Sequence, residues 1–237
     1  MHSAAFVVTP RRRRDRSRLR IGERCTYPCI PSPSLTPAQT GCYYPRGKVR
    51  SRPEYPNLKD DGKIERSIKS GKGGIGCDKY YEAYGKGGLT GGLMALWCTH
   101  SVCYGFHIIP KGEGRNDVFS ALYCYWETMP EVVIYDYACA VAPYFMAREP
   151  DLYKATLAVV DKFHGANHKS CSGACMMTNY IRTDPSLDKY NSSAAESGNS
   201  ALGRIRKSMS YMTQEHAIVF TQVFLSLWNR MKVLNLK

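Results

Sequence analysis

Apolar residues from about position 77 to the C-terminus fall into short, regularly spaced segments, a pattern typical of alternating strands and helices. Residues 93–97 are all apolar and predict a buried strand, and residues 102–109 predict a second strand beside it. Residues 98–101 between them are expected to form the turn of a hairpin. These two strands should therefore be antiparallel neighbours.

A helical pattern follows the hairpin. Apolar residues recur at helical spacing from Val118 to Met129. Asn116 or Asp117 is a suitable N-cap for this helix, and Pro130 is expected to end it. The sequence thus predicts one helix between the hairpin and the next strand.

Two short apolar runs rich in β-branched residues, 132–135 and 156–160, predict further strands of the kind that parallel sheets bury. A helix between them is expected to have Pro143 in its first turn and to close at Pro150. Apolar stripes at helical spacing predict helices over the rest of the chain. The order strand, strand, helix, strand, helix, strand, helices predicts an α/β fold with a mixed sheet flanked by helices.

Residues 1–76 have a different composition, with arginine runs, proline-rich stretches and a lysine- and glycine-rich tract, but no apolar periodicity. They hold about 17 of the 33 Lys and Arg residues and about 6 of the 20 acidic ones, and so carry most of the net charge of +13. Such a segment buries too little apolar surface to offset its conformational entropy. We therefore predict a disordered basic arm over 1–76 and one folded domain over 77–237.

The basic arm favours a polyanionic partner, because cations attract nucleic acid, acidic membrane surfaces and acidic proteins alike. Residues 11–20 match a nuclear-import signal or a phosphate-binding strip, although a solvated tail or a mitochondrial transit peptide has a similar composition. The ten cysteines do not predict a secreted disulfide framework, since the N-terminal residues lack the order of a signal peptide. No apolar run reaches the ~18 residues of a membrane helix. We expect an intracellular protein located in the nucleus.

Three acidic residues are candidates for a catalytic metal site: Asp78 near the domain start, Asp136 at the end of a predicted strand, and Glu196 at the start of a predicted helix. Enzymes that cleave phosphodiester bonds with two Mg²⁺ ions need carboxylates from separate elements that converge on ions about 4 Å apart. Each residue also has a structural explanation. Asp136 would cap the next helix, Glu196 would complete a capping box, and Asp78 would be a surface acid.

Cysteines and histidines at spacings of two to four residues form a second candidate site, of the type that suits tetrahedral Zn²⁺. The predicted ligands of this structural zinc are Cys98, His100, His168 and Cys171. His164 and Cys175 are the alternates. Buried core cysteines and histidines bonded to the backbone are the other interpretation.

Five ordered motifs extend these predictions. They are residues 89–100, 112–119, 135–139 with the sequence Tyr-Asp-Tyr-Ala-Cys, 164–171 and 191–199. Together they resemble the core of the Kyakuja-Dileera-Zisupton (KDZ) transposases, over about residues 77–237. Members of that family are eukaryotic DNA transposon enzymes with a ribonuclease-H-like fold.

The resemblance implies a ribonuclease-H-like mixed sheet flanked by helices, and an enzyme that cleaves and transfers DNA strands with Mg²⁺ or Mn²⁺. It implies that Asp136 is the acid of the family's Tyr-Asp-x-Ala-Cys motif and that Glu196 is the acid on the late helix. Asp78 would supply the first acid, with Asp161 as its substitute.

The same resemblance implies DNA as the partner. The basic arm and Arg204, Arg206 and Lys207 would contact phosphates, and the enzyme would be able to assemble as a homo-oligomer. Because the family extends upstream of this region, the chain would be a truncated or decayed copy. Two alternatives stay open: a catalytically inactive derivative that only binds DNA or another protein, and a zinc-stabilised nuclear scaffold.

Overall fold

One six-stranded sheet forms the centre of the fold in the computed structural model of the chain. The residues that the structure describes are 2–9, 42–44, 47–53, 55, 92–109 and 114–236. The strands are β1 (His2–Thr9), β2 (Cys42–Tyr43), β3 (Gly92–Cys98), β4 (Cys103–Ile109), β5 (Val132–Ile134) and β6 (Leu157–Val159). They lie in the order β2-β4-β3-β1-β5-β6. The pairs β1–β3 and β5–β6 are parallel and the other three are antiparallel, so the sheet is mixed.

Helices cover both sides of this sheet. They are α1 (Arg115–Tyr125), α2 (Ala138–Arg148), α3 (Pro150–Tyr153), α4 (Lys162–Gly165), α5 (Met177–Ile181), α6 (Ala194–Gly203), α7 (Arg206–Met209) and α8 (Gln214–Leu234). Short 3-10 turns occupy Gly173–Cys175 and Pro185–Lys189. Among the described residues, no helix combines the length and the apolar character that crossing a bilayer requires.

Alternate residues of the central strands build two cores, one on each face of the sheet. Met94 and Leu96 of β3 pack with α1, α2 and α3, whereas Ala95 and Trp97 pack with the helices from α5 onward. Successive side chains of a strand point to opposite faces of the sheet, so a strand that is buried on both faces contributes to both cores. The fold therefore has three layers, and the predicted class, an α/β fold with a mixed sheet flanked by helices, is confirmed.

The predicted hairpin joins β3 to β4. Its turn is closed by hydrogen bonds from the Cys98 N–H to the Val102 carbonyl at 2.9 Å and from the Ser101 N–H to the Cys98 carbonyl at 3.0 Å. The Asn229 side chain of α8 bonds both backbone groups of Cys103, at 2.7 and 2.9 Å. Because buried backbone groups need partners, these two bonds fix α8 against the sheet.

The helix and strands after the hairpin lie where they were predicted, with three differences. The N-cap of α1 is Gly114, and not Asn116 or Asp117; the Asp117 carboxylate instead accepts a hydrogen bond from the Gly114 N–H at 2.8 Å. α1 ends at Tyr125, where the backbone becomes extended, and not at Pro130. α2 begins at Ala138, so Pro143 lies inside the helix and not in its first turn. The earlier start follows from the turn after β5, in which the Ala138 N–H donates to the Tyr135 carbonyl at 3.0 Å.

The disordered arm predicted over 1–76 is wrong for the residues in that range that the structure describes. β1 lies in the middle of the sheet, with Val7 paired to Trp97 on one side and to Ile134 on the other, and β2 pairs with β4. The apolar run in residues 4–8 is long enough for a buried strand, but its partners lie far downstream and leave no local signal. The rest of the range, and the boundary at residue 77, lie outside the described residues.

Candidate functional site

Two groups of ionisable side chains meet beyond the ends of β5 and β6. Because these strands are parallel neighbours, with Ile134 beside Val159, the chain leaves both of them at the same edge. Asp136 follows β5 in the turn before α2, and Asp161 follows β6 directly before α4. The sheet thus places the residues after β5 next to the residues after β6.

The chain after β6 forms a closed loop over residues 161–175. At its base, the Val160 N–H donates to the Cys175 carbonyl at 2.8 Å, and the Met177 N–H donates to the Val160 carbonyl at 3.0 Å. These bonds form an isolated parallel bridge between Val160 and Met176. The loop carries the four residues of this region predicted as zinc ligands or alternates: His164, His168, Cys171 and Cys175.

His164 lies at the centre of the first group. Its Nδ1 is 2.6 Å from Asp161 Oδ2, and its Nε2 is 3.7 Å from Glu196 Oε1. Asp161 is buried, and its Oδ1 accepts from the backbone N–H groups of Phe163 and His164 at 2.6 and 2.9 Å. Asp161 therefore caps α4 and orients the imidazole, so both of its oxygens are engaged.

The surroundings of His164 raise the pKa of its imidazole above the ordinary value of 6.5. Partial burial is the largest single effect, and it lowers the pKa. The hydrogen bond with Asp161 and the negative charges of Asp161, Asp136 and Glu196 act in the opposite direction and together outweigh it. The charges of Asp136 and Glu196 therefore act on the same imidazole.

Asp136 and Glu196 are two of the predicted catalytic acids. Neither of them has the helix-capping role that would be the structural explanation for its presence. Ser193 is the N-cap of α6 but its side chain makes no capping hydrogen bond, so the capping box with Glu196 is not formed. Tyr137, and not Asp136, is the N-cap of α2. Asp136 and Glu196 are both exposed, and their carboxylates are open to solvent. The third predicted acid, Asp78, lies outside the described residues.

The second group joins α2 to the 161–175 loop. Cys139 Sγ is 3.6 Å from His168 Nδ1, which is 3.4 Å from Cys171 Sγ. These three atoms all lie within 4.8 Å of one another, an arrangement that can hold a metal ion. His168 and Cys171 are thus brought together as predicted. Cys139, in the first turn of α2, is a third member that the sequence pattern did not predict.

The thiols of this group affect one another's ionisation. Burial is the main cause that raises the pKa of Cys139 to about 11, and the hydrogen bond and charge of Cys171 and the charge of Cys175 raise it further. Burial, and then the charge of Cys171, raises the pKa of Cys175. Cys139 and Cys175 therefore keep their protons at neutral pH unless a cation stabilises the thiolates.

The structure separates Cys98 and His100 from the other two predicted zinc ligands. Both lie in the hairpin after β3, where Cys98 Sγ is 3.8 Å from His100 Nδ1. Val8 of β1 pairs with Cys98 and with Val133, so the hairpin is level with the start of β5. Cys139 lies beyond the end of β5. The structure therefore does not bring the four predicted ligands together: the two halves of the set lie at different ends of β5, on strands that β1 separates.

One sequence motif contains a signal for Cys139, the member of the group that the spacing of cysteines and histidines did not predict. The Tyr-Asp-Tyr-Ala-Cys sequence that singled out Asp136 ends in Cys139, directly after a strand expected to lie in a parallel sheet. A neighbouring parallel strand that leads into a loop with histidines and cysteines would then place these side chains together. To use this signal, one must know the order of the strands in the sheet, and the local spacing of residues does not give that order.

The chemistry of this edge is divided between carboxylate oxygens around His164 and softer sulfur and imidazole ligands around His168. The two groups adjoin, because Asp136 and Cys139 follow the same strand and both histidines belong to one loop. Comparisons of the chain with protein-family models, with curated proteins and with solved structures find no match, so what this site does is inferred from its geometry.

Proposed function

We propose that the chain acts on DNA by divalent-metal-dependent strand cleavage and transfer, as a KDZ-like transposase or a fragment of one, with Asp136 and Glu196 as metal ligands. One observation carries this proposal: Glu196 Oε1, in the first turn of α6, lies 3.7 Å from His164 Nε2, and Asp136 follows β5 at the edge where the loop that carries His164 follows the parallel strand β6. Carboxylates that converge from separate elements are what metal-dependent phosphodiester cleavage needs.

The donor chemistry fits Mg²⁺ or Mn²⁺, since both ions prefer carboxylate oxygens and Asp136 and Glu196 expose theirs. Asp161 is an unsuitable ligand because its oxygens bond His164 and the backbone of α4. Among the described residues, no third carboxylate completes a three-carboxylate group with Asp136 and Glu196. Asp78 therefore stays the predicted first acid. A bound ion would supply Lewis-acid stabilisation of the charge on a phosphodiester.

His164 adjusts the charge of this site. When it is protonated, it offsets part of the negative charge of Asp161 and Glu196. When it is neutral with its proton on Nδ1 toward Asp161, its Nε2 faces Glu196 as a proton acceptor. The residue is thus placed to hold or accept a proton beside the proposed metal ligands.

Basic residues near the same helix supply contacts for a DNA backbone. Arg204 follows the last residue of α6, Arg206 and Lys207 begin α7, and all three are exposed. At 1.5 Å per residue, Arg204 lies about 12 Å along the helix axis from Glu196. This distance spans about three to four base steps of one DNA strand.

The ribonuclease-H-like fold belongs to the same proposal. It is supported by an antiparallel hairpin, β3–β4, that precedes the parallel pair β5–β6, with helices on both faces of the sheet. The order of the acids, first after a strand and then on a late helix, agrees with the order that the KDZ resemblance implies.

A plasmid-nicking assay with the full chain tests this function. Conversion of supercoiled plasmid to nicked circles should require Mg²⁺ or Mn²⁺. Asp136→Asn and Glu196→Gln should each lower the rate at least about 100-fold, because each removes a ligand charge. Asp151→Asn and Glu215→Gln are the matched controls, since both acids are exposed and lie on other helices, and they should nick at the wild-type rate.

Binding is measured separately, by fluorescence anisotropy of a labelled duplex with Ca²⁺ in place of Mg²⁺. Binding without metal-dependent nicking would contradict the enzymatic proposal and favour the catalytically inactive DNA-binding module. Equal nicking by wild type and by both site variants would contradict it as well, because the activity would then come from elsewhere.

A further inference from the structure

We infer that Cys139, His168 and Cys171 bind a zinc ion, with Cys175 as the fourth ligand, and that this ion fastens the 161–175 loop to α2. The ligands are sulfur and imidazole donors, which select zinc over the hard cations that carboxylates prefer. The site is therefore independent of the proposed function. It also differs from the site that the sequence predicts, in which the hairpin after β3 supplies two ligands.

The interatomic distances match those of tetrahedral zinc. With Zn–S bonds of about 2.3 Å and Zn–N bonds of about 2.0–2.1 Å, a tetrahedral angle separates a sulfur from a nitrogen ligand by about 3.6 Å. The distances from His168 Nδ1 are 3.6 Å to Cys139 Sγ and 3.4 Å to Cys171 Sγ. Because these ligand atoms are already grouped, one ion can contact all three without a change in the fold.

We assign Cys175, the other described cysteine of the loop, to the fourth position, which structural zinc sites fill with a protein ligand. It ends the 3-10 turn Gly173–Cys175, which packs against α2. The backbone bond to Val160 holds this cysteine at the base of the loop.

A metal at this position would connect segments that are distant in sequence. Cys139 precedes His168 by 29 residues, and β6 lies between them. A crosslink between such segments stabilises the fold, because it reduces the entropy of the unfolded chain. The loop that it fastens also holds Asp161 and His164, so the zinc would fix the segment that orients the imidazole.

The zinc content of the full chain, purified under reducing conditions without added metal, tests this inference. We expect about one zinc ion per chain. Replacement by Co²⁺ should give the visible bands of a tetrahedral site and the charge-transfer bands of thiolate ligands. Thiol–imidazole hydrogen bonds alone give similar sulfur–nitrogen distances but no such spectrum. A chain that takes up neither ion would overturn the inference.

Variants identify the ligands. Cys139→Ser and Cys171→Ser should each abolish stoichiometric zinc, and Cys175→Ser should weaken zinc affinity at least about tenfold. The matched control, Cys98→Ala with His100→Gln, removes the other close thiol–imidazole pair and should retain zinc. Zinc loss in this control, or unchanged affinity in Cys175→Ser, would overturn the ligand set.

A cobalt spectrum of the wild-type chain covers the case in which a ligand variant does not fold. The intensity of its charge-transfer bands reports the number of thiolates bound to the metal. We expect the intensity of three thiolates, one each from Cys139, Cys171 and Cys175. Bands of one thiolate or none would contradict the site without any substitution.

Discussion

The interactions of His164 depend on whether its imidazole is protonated. As an imidazolium it pairs with Asp161 at 2.6 Å and faces Glu196 at 3.7 Å. Burial lowers its pKa, but the hydrogen bond with Asp161 and the surrounding carboxylates raise it by more. The folded protein therefore binds this proton more tightly than the unfolded chain does, so the free energy of unfolding depends on pH.

We predict that His164→Gln destabilises the protein at acidic pH and much less at alkaline pH. The stabilisation from a raised pKa is complete below the unfolded pKa of about 6.5, and it is lost as pH rises through the folded pKa. Thermal melts between about pH 5.5 and about pH 8.5, without added divalent metal, should show a Tm difference from wild type that shrinks with rising pH. His216→Gln, at an exposed histidine of α8, is the control. A Tm difference that is constant with pH would contradict this role.

At the scale of the elements, α6 can lie close to β3 because Gly198 has no side chain. A Cβ atom at this position would overlap the indole ring of Trp97. Glu196 lies two residues earlier on the same helix. The contact between glycine and indole therefore sets the distance between Glu196 and the sheet, and with it the position of one proposed metal ligand.

We predict that Gly198→Ala lowers the free energy of unfolding. Overpacking against Trp97 costs about 1–3 kcal/mol, whereas the gain in helix propensity is about 1 kcal/mol. Gly203→Ala, at the last residue of the same helix, meets no atom within 4 Å and is the matched control. It should have unchanged or slightly higher stability. Equal urea midpoints for the two variants would show that α6 is not packed this closely.

Local patterns were sufficient to predict the elements that form from contiguous residues. β3 and β4 are apolar runs on either side of a short turn, and β5 and β6 are β-branched runs with a helix between them. The group of Cys139, His168 and Cys171 was predicted only in part, because Cys139 meets His168 through the parallel pairing of β5 and β6 and not through close spacing. Cys98 and His100 have the right spacing but lie at the other end of β5.

At the scale of the whole molecule, β1 holds the sheet together. It lies between the group β2-β4-β3 and the pair β5–β6, and it pairs with both. Sequence composition predicted no structure here, because a short apolar run beside many arginines resembles a charged tail until its partners are known. The strand pairs with segments that are remote in sequence, and no local rule identifies them.

We predict that Val7→Pro destabilises the whole domain, whereas Val7→Ala, which keeps the backbone N–H, has a smaller effect. Proline cannot donate to a ladder, and Val7 lies in a strand paired on both sides. A backbone carbonyl that loses its N–H partner lowers the free energy of unfolding by about 1–3 kcal/mol. Urea unfolding of both variants measures the difference. If residues 1–76 were a disordered arm throughout, both variants would unfold at the wild-type midpoint.

The central position of β1 also has a consequence for how the protein folds. His2 pairs with Gly92, and Val7 pairs with Ile134, so completing the sheet requires closure of very long chain loops. Contacts of such high sequence separation form slowly. Until β1 docks, β3 and β5 each present an unpaired edge, and such edges can pair with other chains. We therefore expect refolding yield to fall steeply with protein concentration, while the β3–β4 hairpin, whose contacts are local, forms early.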